Sequence, residues 1–362
     1  MAAEYHAQFT AFAREYQAIL ARARDTVAGF PPLLQAQAGP LLPELAGGSF
    51  SRIVALLPYW LADLLASVEP PDASSTGFAS AGPEPVPGTH PPSSFDEVET
   101  LGLANLLGWW SYLIQDGLLD GELERPELLS LATALHAAAV RLLAWLSPGD
   151  QVFWDAFEAL SLATAEAHCW EQGGRSGLDG RVTVAAMAGF EDLDRLADRS
   201  ALLQLAVVAQ LRLCGYDQEH ALGKALVEML RHYAIARQIG DDLGDWVDDL
   251  RNGRLNYVSA RIVQRMVETG AVENGAELDV ERMAGYFLYD DDLLAAIHQV
   301  AQSACHQARS SIAPYGSQYL EALVDELAGC LERSYSAAVE RRRKLRAALA
   351  PLDPTRGHKS KS

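Results

Sequence analysis

Apolar residues recur three and four positions apart along most of this 362-residue chain, against a background rich in Ala and Leu. The Val/Ile/Thr alternation of strands is nearly absent. A 3.6-residue period gathers such side chains on one helix face, whereas a strand needs a period of two. The chain is therefore expected to be all-α. The spacing predicts helices over 4–24, 50–67, 95–119, 125–146, 151–172, 184–197, 199–214, 218–249, 256–268, 280–287, 293–313 and 317–349. A Pro/Ser/Gly-rich stretch at 69–94 cannot continue a helix and buries little, so it reads as a loop inserted into one helical domain covering 1–350. A polar tail follows at 351–362.

Charge removes several function classes. Lys plus Arg number 29 and Asp plus Glu 48, a formal charge of −19. Nucleic-acid binding needs a basic face to displace counterions, and anionic lipid needs the same. The first residues lack a basic start and apolar run of the signal type, and no window is an uninterrupted membrane span. Cys169, Cys214, Cys305 and Cys330 are scattered without a CxxC pair. That usage suits a reduced, cytoplasmic chain and argues against a cysteine zinc site. The histidines show no HExxH pairing, and neither a glycine-rich phosphate loop nor GxSxG is present.

Two acidic clusters stand out. In the first, Asp116 and Asp120 are four apart, on one face of a helix whose preceding turns carry Trp109, Trp110 and Tyr112. Alone, it reads as a polar helix end. In the second, Asp241, Asp245 and Asp249 form an i, i+4, i+8 stripe, with Asp242 and Asp248 beside them. Like charges at that spacing repel, Asp is a poor helix-interior residue, and the dipole disfavours anions near a helix C-terminus. A divalent cation converts that penalty into binding, and Mg2+ prefers carboxylate oxygens completed by substrate phosphates. Facing helices of a bundle commonly build such sites. Asp290–Asp292 is equally acidic but precedes an apolar helix, where capping explains it. The basic run 341–346 reads as a solvated helix end.

A diphosphate held by such metals also needs cations. Arg195 and Arg199 precede an apolar helix, Arg125 follows the first cluster, and Arg251 and Arg254 follow the second. Guanidinium forks match phosphate oxygens, and a helix start favours them.

With these residues in view, the chain resembles the class I isoprenoid synthase superfamily, the trans-prenyltransferases and class I terpene synthases. The likeness runs from about Gly47 to the last long helix. Asp116-Gly117-Leu118-Leu119-Asp120 resembles the first DDxxD motif with Gly at its second position. Asp241-Asp242-Leu243-Gly244-Asp245 resembles the second, and Asp241, Asp245 and Asp249 also fit the terpene synthase metal triad with Asp in place of Glu. Arg199-Ser200 lies 42 positions before Asp241, where elongating enzymes carry Lys-Thr, and Arg195 fits the diphosphate-sensing Arg of terpene synthases. Arg254 resembles the basic residue that follows the second motif.

The departures bear on the reaction. Elongating enzymes bind isopentenyl diphosphate through GGKxxR and through the second Arg of an Arg-Arg pair. Here those positions read Gly47-Gly48-Ser49-Phe50-Ser51-Arg52 and Arg125-Pro126. The condensation partner loses two cations, which implies a single-substrate cyclase. The segment from Gln238 through Asp249 to Arg254 also resembles the head-to-head squalene and phytoene synthases, and no Arg stands directly before Tyr315 or Tyr319 as terpene synthases would have it.

The resemblance implies a helical bundle around a central apolar cavity and a possible homodimer. It implies Mg2+ held by Asp116, Asp120, Asp241, Asp242, Asp245 and Asp249, and a prenyl diphosphate held by Arg125, Arg195 or Arg199, and Arg254. The expected activity is ionisation and cyclisation of that substrate, with prenyl transfer or a non-catalytic relic of the fold as alternatives. Trp109, Tyr112, Phe153, Trp154, Phe157 and Trp170 are candidate cavity residues, since aromatic faces attract cations.

Overall fold

The computed structural model describes residues 7–68, 94–173, 182–183, 189–190, 192–216, 220–273 and 276–350. The all-α expectation holds. The helices are α1 (Ala7–Ala11), α2 (Ala13–Ala28), α3 (Pro32–Gly47), α4 (Ser49–Ser67), α5 (Phe95–Leu119), α6 (Leu128–Leu146) and α7 (Gln151–Gly173). They continue with α8 (Leu193–Asp198), α9 (Gln204–Leu213), α10 (Ala221–Arg251), α11 (Tyr257–Glu268), α12 (Val280–Tyr289), α13 (Asp291–Ile312) and α14 (Gln318–Leu349).

Two long helices organise the bundle. α5 begins at a capping box: the Ser94 hydroxyl accepts from the Glu97 N–H, and the Glu97 carboxylate accepts from the Ser94 N–H. It packs against α2, α4 and α6. α10 packs against α8, α11 and α13, and α9 touches α4, α5, α7 and α10. Trp60, Trp110, Ile19, Leu106 and Leu107 are fully buried around α5, each such leucine contributing about 1.5–3 kcal/mol. One apolar core runs from Phe9 to Leu331. A smaller cluster joins Leu101 of α5, Leu143 of α6, Phe153 of α7 and Leu205 of α9.

Several expectations needed correction. Residues 32–47, which carry prolines at 32, 40 and 43, form α3; its Ala38 is buried, and Leu34, Leu41 and Leu45 pack on the core. Pro32 stands at the first helical position, where it is tolerated, and packing outweighs the cost of Pro40 and Pro43, roughly 3 kcal/mol each inside an isolated helix. The helix expected over 4–24 is interrupted at Phe12 and runs on to Ala28. Within the helix expected over 184–197, Gly189 and Phe190 form a turn and Asp192 caps α8, which begins only at Leu193. The helix expected to start at Arg199 instead passes through a 3-10 turn, Ala201–Leu203, before α9 begins at Gln204. A two-residue antiparallel pair, β1 (Val182–Thr183) with β2 (Glu277–Leu278), was not expected. The inserted stretch 69–93 and the tail 351–362 lie outside the described residues.

Among the described residues two helices, α4 and α6, are long and apolar enough to cross a membrane by length and composition alone. Most of α4 is buried in the bundle, whereas much of α6 is not. Asp290 caps α13 as expected, accepting from the Leu293 N–H at 2.9 Å. The basic run near 341–346 is more than a solvated end: Arg346 makes a forked pair with Asp291, and buried Arg342 covers the Phe287 ring.

Candidate active site

The C-terminal end of α5 and the second half of α10 carry the acidic clusters, and the structure brings them together. The link is Arg254. A tight turn at Gly253, with φ of +74°, follows α10 and returns the chain toward α5. The Arg254 guanidinium donates to Asp249 Oδ1 at 2.8 and 3.1 Å and to the Asp120 carbonyl at 3.0 Å, and lies 3.5 Å from Glu122. One side chain thus spans 134 positions of sequence between the clusters.

Arg199 supplies the second positive centre. It follows α8, and its side chain is 13% exposed. Its Nη1 lies 3.1 Å from Glu171 of α7. Its Nε is buried without a hydrogen-bond partner. Burial works against its charge, but Glu171, Tyr112, Asp242 and Asp116 hold the guanidinium ionised. One cation shared among so many carboxylates leaves them under-compensated. Burial, with Asp120 adding to it, pushes Asp116 up to about 6. Burial also pushes Glu171 up to about 7, beyond what Arg199 recovers.

The second cluster divides. Asp245 is exposed, and burial with Asp249 and Asp241 beside it raises its carboxyl. Asp241 pairs with Arg237 one turn back at 3.1 Å. Asp249 is held by Arg254 and by Asn256 Nδ2 at 2.9 Å. Asp242 points away from the stripe: it is 4% exposed and accepts from Gln238 Nε2 at 2.7 Å and from the Tyr257 N–H at 2.9 Å. That N–H opens α11, so Asp242 satisfies a helix N-terminus. Expected among the metal ligands, Asp242 is engaged at this junction. Burial pushes it up to about 6.

Beside these charges lies an apolar cavity between α4, α5, α6, α7 and α9. Its empty space, with the mouth and adjoining solvent counted in, is about 790 Å3. Trp109, Tyr112, Phe157, Thr164 and Arg199 line it. A row of rings leads to it from α10: Arg237 sits 4.1 Å above Phe50, Phe50 is 4.6 Å from Trp109, Trp109 stacks on Tyr112 at 5.1 Å, and Tyr112 meets His168 edge-on at 5.2 Å. Burial, then Asp116, pushes the Tyr112 phenol up.

The structure places other expected residues elsewhere. Arg195, 45% exposed, lies 3.6 Å from Asp192 and covers Trp170, which packs on Phe190. Neither Arg195 nor Trp170 lines the cavity. Phe153 is core, and Trp154 donates to the Ser147 carbonyl. Arg125 faces solvent on Glu127, and Arg251 pairs with Asp248. Arg52 lies over the Phe9 and Tyr16 rings. Gly117, at the motif's missing aspartate, is buried: a Cβ there would meet Leu123 at 3.0 Å. The sequence reading missed Glu171, His168 and Arg237. Their signal was available only as helix spacing, Thr164, His168 and Glu171 sharing one face of α7 and Arg237 standing four before Asp241.

Among the described residues, no three His, Cys, Asp or Glu side chains are gathered into a closed metal site. The donor set nonetheless fits Mg2+. It is all carboxylate, the carboxylates outnumber the arginines, and an ion with several waters asks for only one or two protein oxygens.

No protein-family model matches the chain, and no curated protein matches it in sequence. A solved polyprenyl synthase from Roseobacter denitrificans is similar in structure, with a TM-score of 0.61 and 18% identity, over 90% of this chain and 97% of that one. At that identity the likeness concerns architecture: the chain has the all-α fold of the isoprenoid synthases.

Proposed function

We propose that this chain is a Mg2+-dependent enzyme that ionises a linear allylic prenyl diphosphate and cyclises it, a class I terpene synthase. The observation that carries this reading is the convergence of both acidic clusters, through Arg254 and Arg199, at the side of an apolar cavity lined by aromatic rings. The similar structure's name, a polyprenyl synthase, agrees with a prenyl diphosphate substrate.

Asp116 and Asp120 on α5, and Asp241, Asp245 and Asp249 on α10, would hold the metal, which supplies charge neutralisation for a departing diphosphate. Arg199, with a free Nε, and Arg254 bind the diphosphate oxygens. Arg237, beside Asp241 and Phe50, is a further cation at the same edge. Trp109, Tyr112 and Phe157 shape the prenyl chain and face positive charge as it develops. Burial of the cavity excludes bulk water, which strengthens each electrostatic contact.

Chain elongation is disfavoured because the isopentenyl diphosphate cations are absent at Ser49 and Pro126, and Arg52 and Arg125 are engaged elsewhere. Free thiols at all four cysteines suit a cytoplasmic enzyme. A homodimer rests on the resemblance alone: Leu129 and Trp145 of α6 and Leu162 of α7 are exposed, but 16 positions on one helix set Leu129 and Trp145 on nearly opposite sides.

The test is incubation of the purified protein with Mg2+ and geranyl, farnesyl or geranylgeranyl diphosphate, each with and without isopentenyl diphosphate. Products and released diphosphate are followed together. A cyclic product without isopentenyl diphosphate supports the proposal. A longer prenyl diphosphate, formed only with isopentenyl diphosphate, assigns chain elongation instead. A long linear product from a single substrate assigns head-to-head coupling. No turnover, with no thermal stabilisation by Mg2+ and pyrophosphate, assigns the relic.

A further inference from the structure

The cavity is apolar, yet polar atoms at and beside it lack partners. Thr164 lines it, is 7% exposed, and its hydroxyl makes no hydrogen bond, not even to its own helix. Trp109 lines it too, with a buried indole N–H that reaches no acceptor. One turn along α7 from Thr164, the His168 Nε2 is buried and unpartnered, and its ring meets the edge of Tyr112. A buried polar group left unpaired costs about 1–3 kcal/mol. Such groups together describe the surroundings of a bound water, which takes two to four polar partners in a space that admits it.

Building on the terpene synthase reading, the geometry points to a specific water site formed by Thr164, His168 and Trp109, whose water captures the substrate cation so that the product is an alcohol. Departure of diphosphate takes the C–O bonding pair and leaves the carbocation. A lone pair of the water forms the new C–O bond. The oxonium then passes one proton to Nε2 of His168, leaving the neutral alcohol and an imidazolium. Burial, with Arg199 nearby, pushes His168 down to about 4, so the imidazole is neutral and free to accept. Thr164 and Trp109 orient the water and do not change protonation state.

The experiment runs the full-length protein with Mg2+ and each of the three prenyl diphosphates in 18O-labelled water. It measures diphosphate release and the ratio of alcohol to hydrocarbon. The expected result is an alcohol carrying one labelled oxygen. Thr164→Val, which loses the orienting hydroxyl, and His168→Phe, which loses the general base, should each shift the product ratio from alcohol to hydrocarbon, the latter by about a hundredfold. Thr164→Ser, which keeps the hydroxyl, should retain the alcohol. A merely structural role would lower rate and melting temperature without moving that ratio. Hydrocarbon as the main wild-type product overturns the inference alone. So does an unchanged alcohol share in the folded Thr164→Val and His168→Phe variants, since bulk water is then the nucleophile. Absence of diphosphate release from every substrate overturns the underlying reading and the inference with it.

Discussion

Asp242→Asn separates a helix junction from a metal ligand. Asp242 accepts from Gln238 and from the first N–H of α11 while buried. Asn keeps an oxygen for Tyr257, and its amide N–H pairs with Gln238 once that side chain turns over. The substitution therefore removes charge and little else. Burial raises the carboxyl from 3.8 to about 6 in the fold. At ~1.36 kcal/mol per unit, ionised Asp242 costs about 3 kcal/mol at pH 8. At pH 5 most of it is protonated in the folded protein, and the cost falls to about half. A raised carboxyl stabilises below its unfolded pKa and loses that contribution as pH rises through the folded one, so the wild type loses ground between pH 5 and 8. With an unfolding entropy of ~2.1 cal/mol/K per residue, Asp242→Asn should melt roughly 4 °C higher than wild type at pH 8 and roughly 2 °C higher at pH 5. Thermal melts at both pH values measure this. An equal shift at both, or a larger loss at pH 8, refutes the charge penalty. Abolished diphosphate release in a folded variant shows that Asp242 contacts the metal after all.

Other outcomes follow from the same geometry. Arg199→Ala should lower diphosphate release by about two orders of magnitude or more, the scale of a lost electrostatic contact, whereas exposed Arg195→Ala should leave kcat/KM within a few-fold; steady-state kinetics on the pair distinguishes the two arginines. Arg254→Gln unties α10 from α5, and loss of its charge-assisted bonds should cost about 1.5–3 kcal/mol in urea melts and raise the Mg2+ requirement. Gly117→Asp completes a DDxxD pattern, but its Cβ presses on Leu123; a loss of about 1–3 kcal/mol and no gain in rate is expected. Pyrophosphate with Mg2+ should raise the melting temperature where either alone does little, by about 2.7 kcal/mol of stability at one hundred times Kd; equal effects from pyrophosphate alone would assign the binding to arginines without metal.

Much of this was legible in the sequence. Helical spacing fixes which side of α10, α13 and α14 turns inward, because periodicity is a local property of the chain. The Asp241–Asp245–Asp249 stripe was legible for the same reason, as a local energetic anomaly. Asp290 was legible as a cap because capping involves only the next three residues. Residues 32–47 were not, since their prolines argue locally against a helix that distant packing supports.

The roles of individual charges were decided by tertiary structure. Arg195 and Arg199 are equivalent by spacing, yet one covers Trp170 on the surface and the other is buried against Glu171. Asp241 and Asp242 are neighbours, yet a 100° step around the helix sends one to Arg237 and the other to α11. Glu171 and His168 look like ordinary polar residues of a helix until α5 and α8 close over them. The sequence by itself determined a helical bundle bearing two acidic helix segments, because period and like-charge spacing act over a turn or two. Which carboxylates face which arginines depends on contacts between residues up to 134 positions apart. Only the packed bundle brings those together, and only burial there moves a carboxyl from its ordinary range to about 6 or 7.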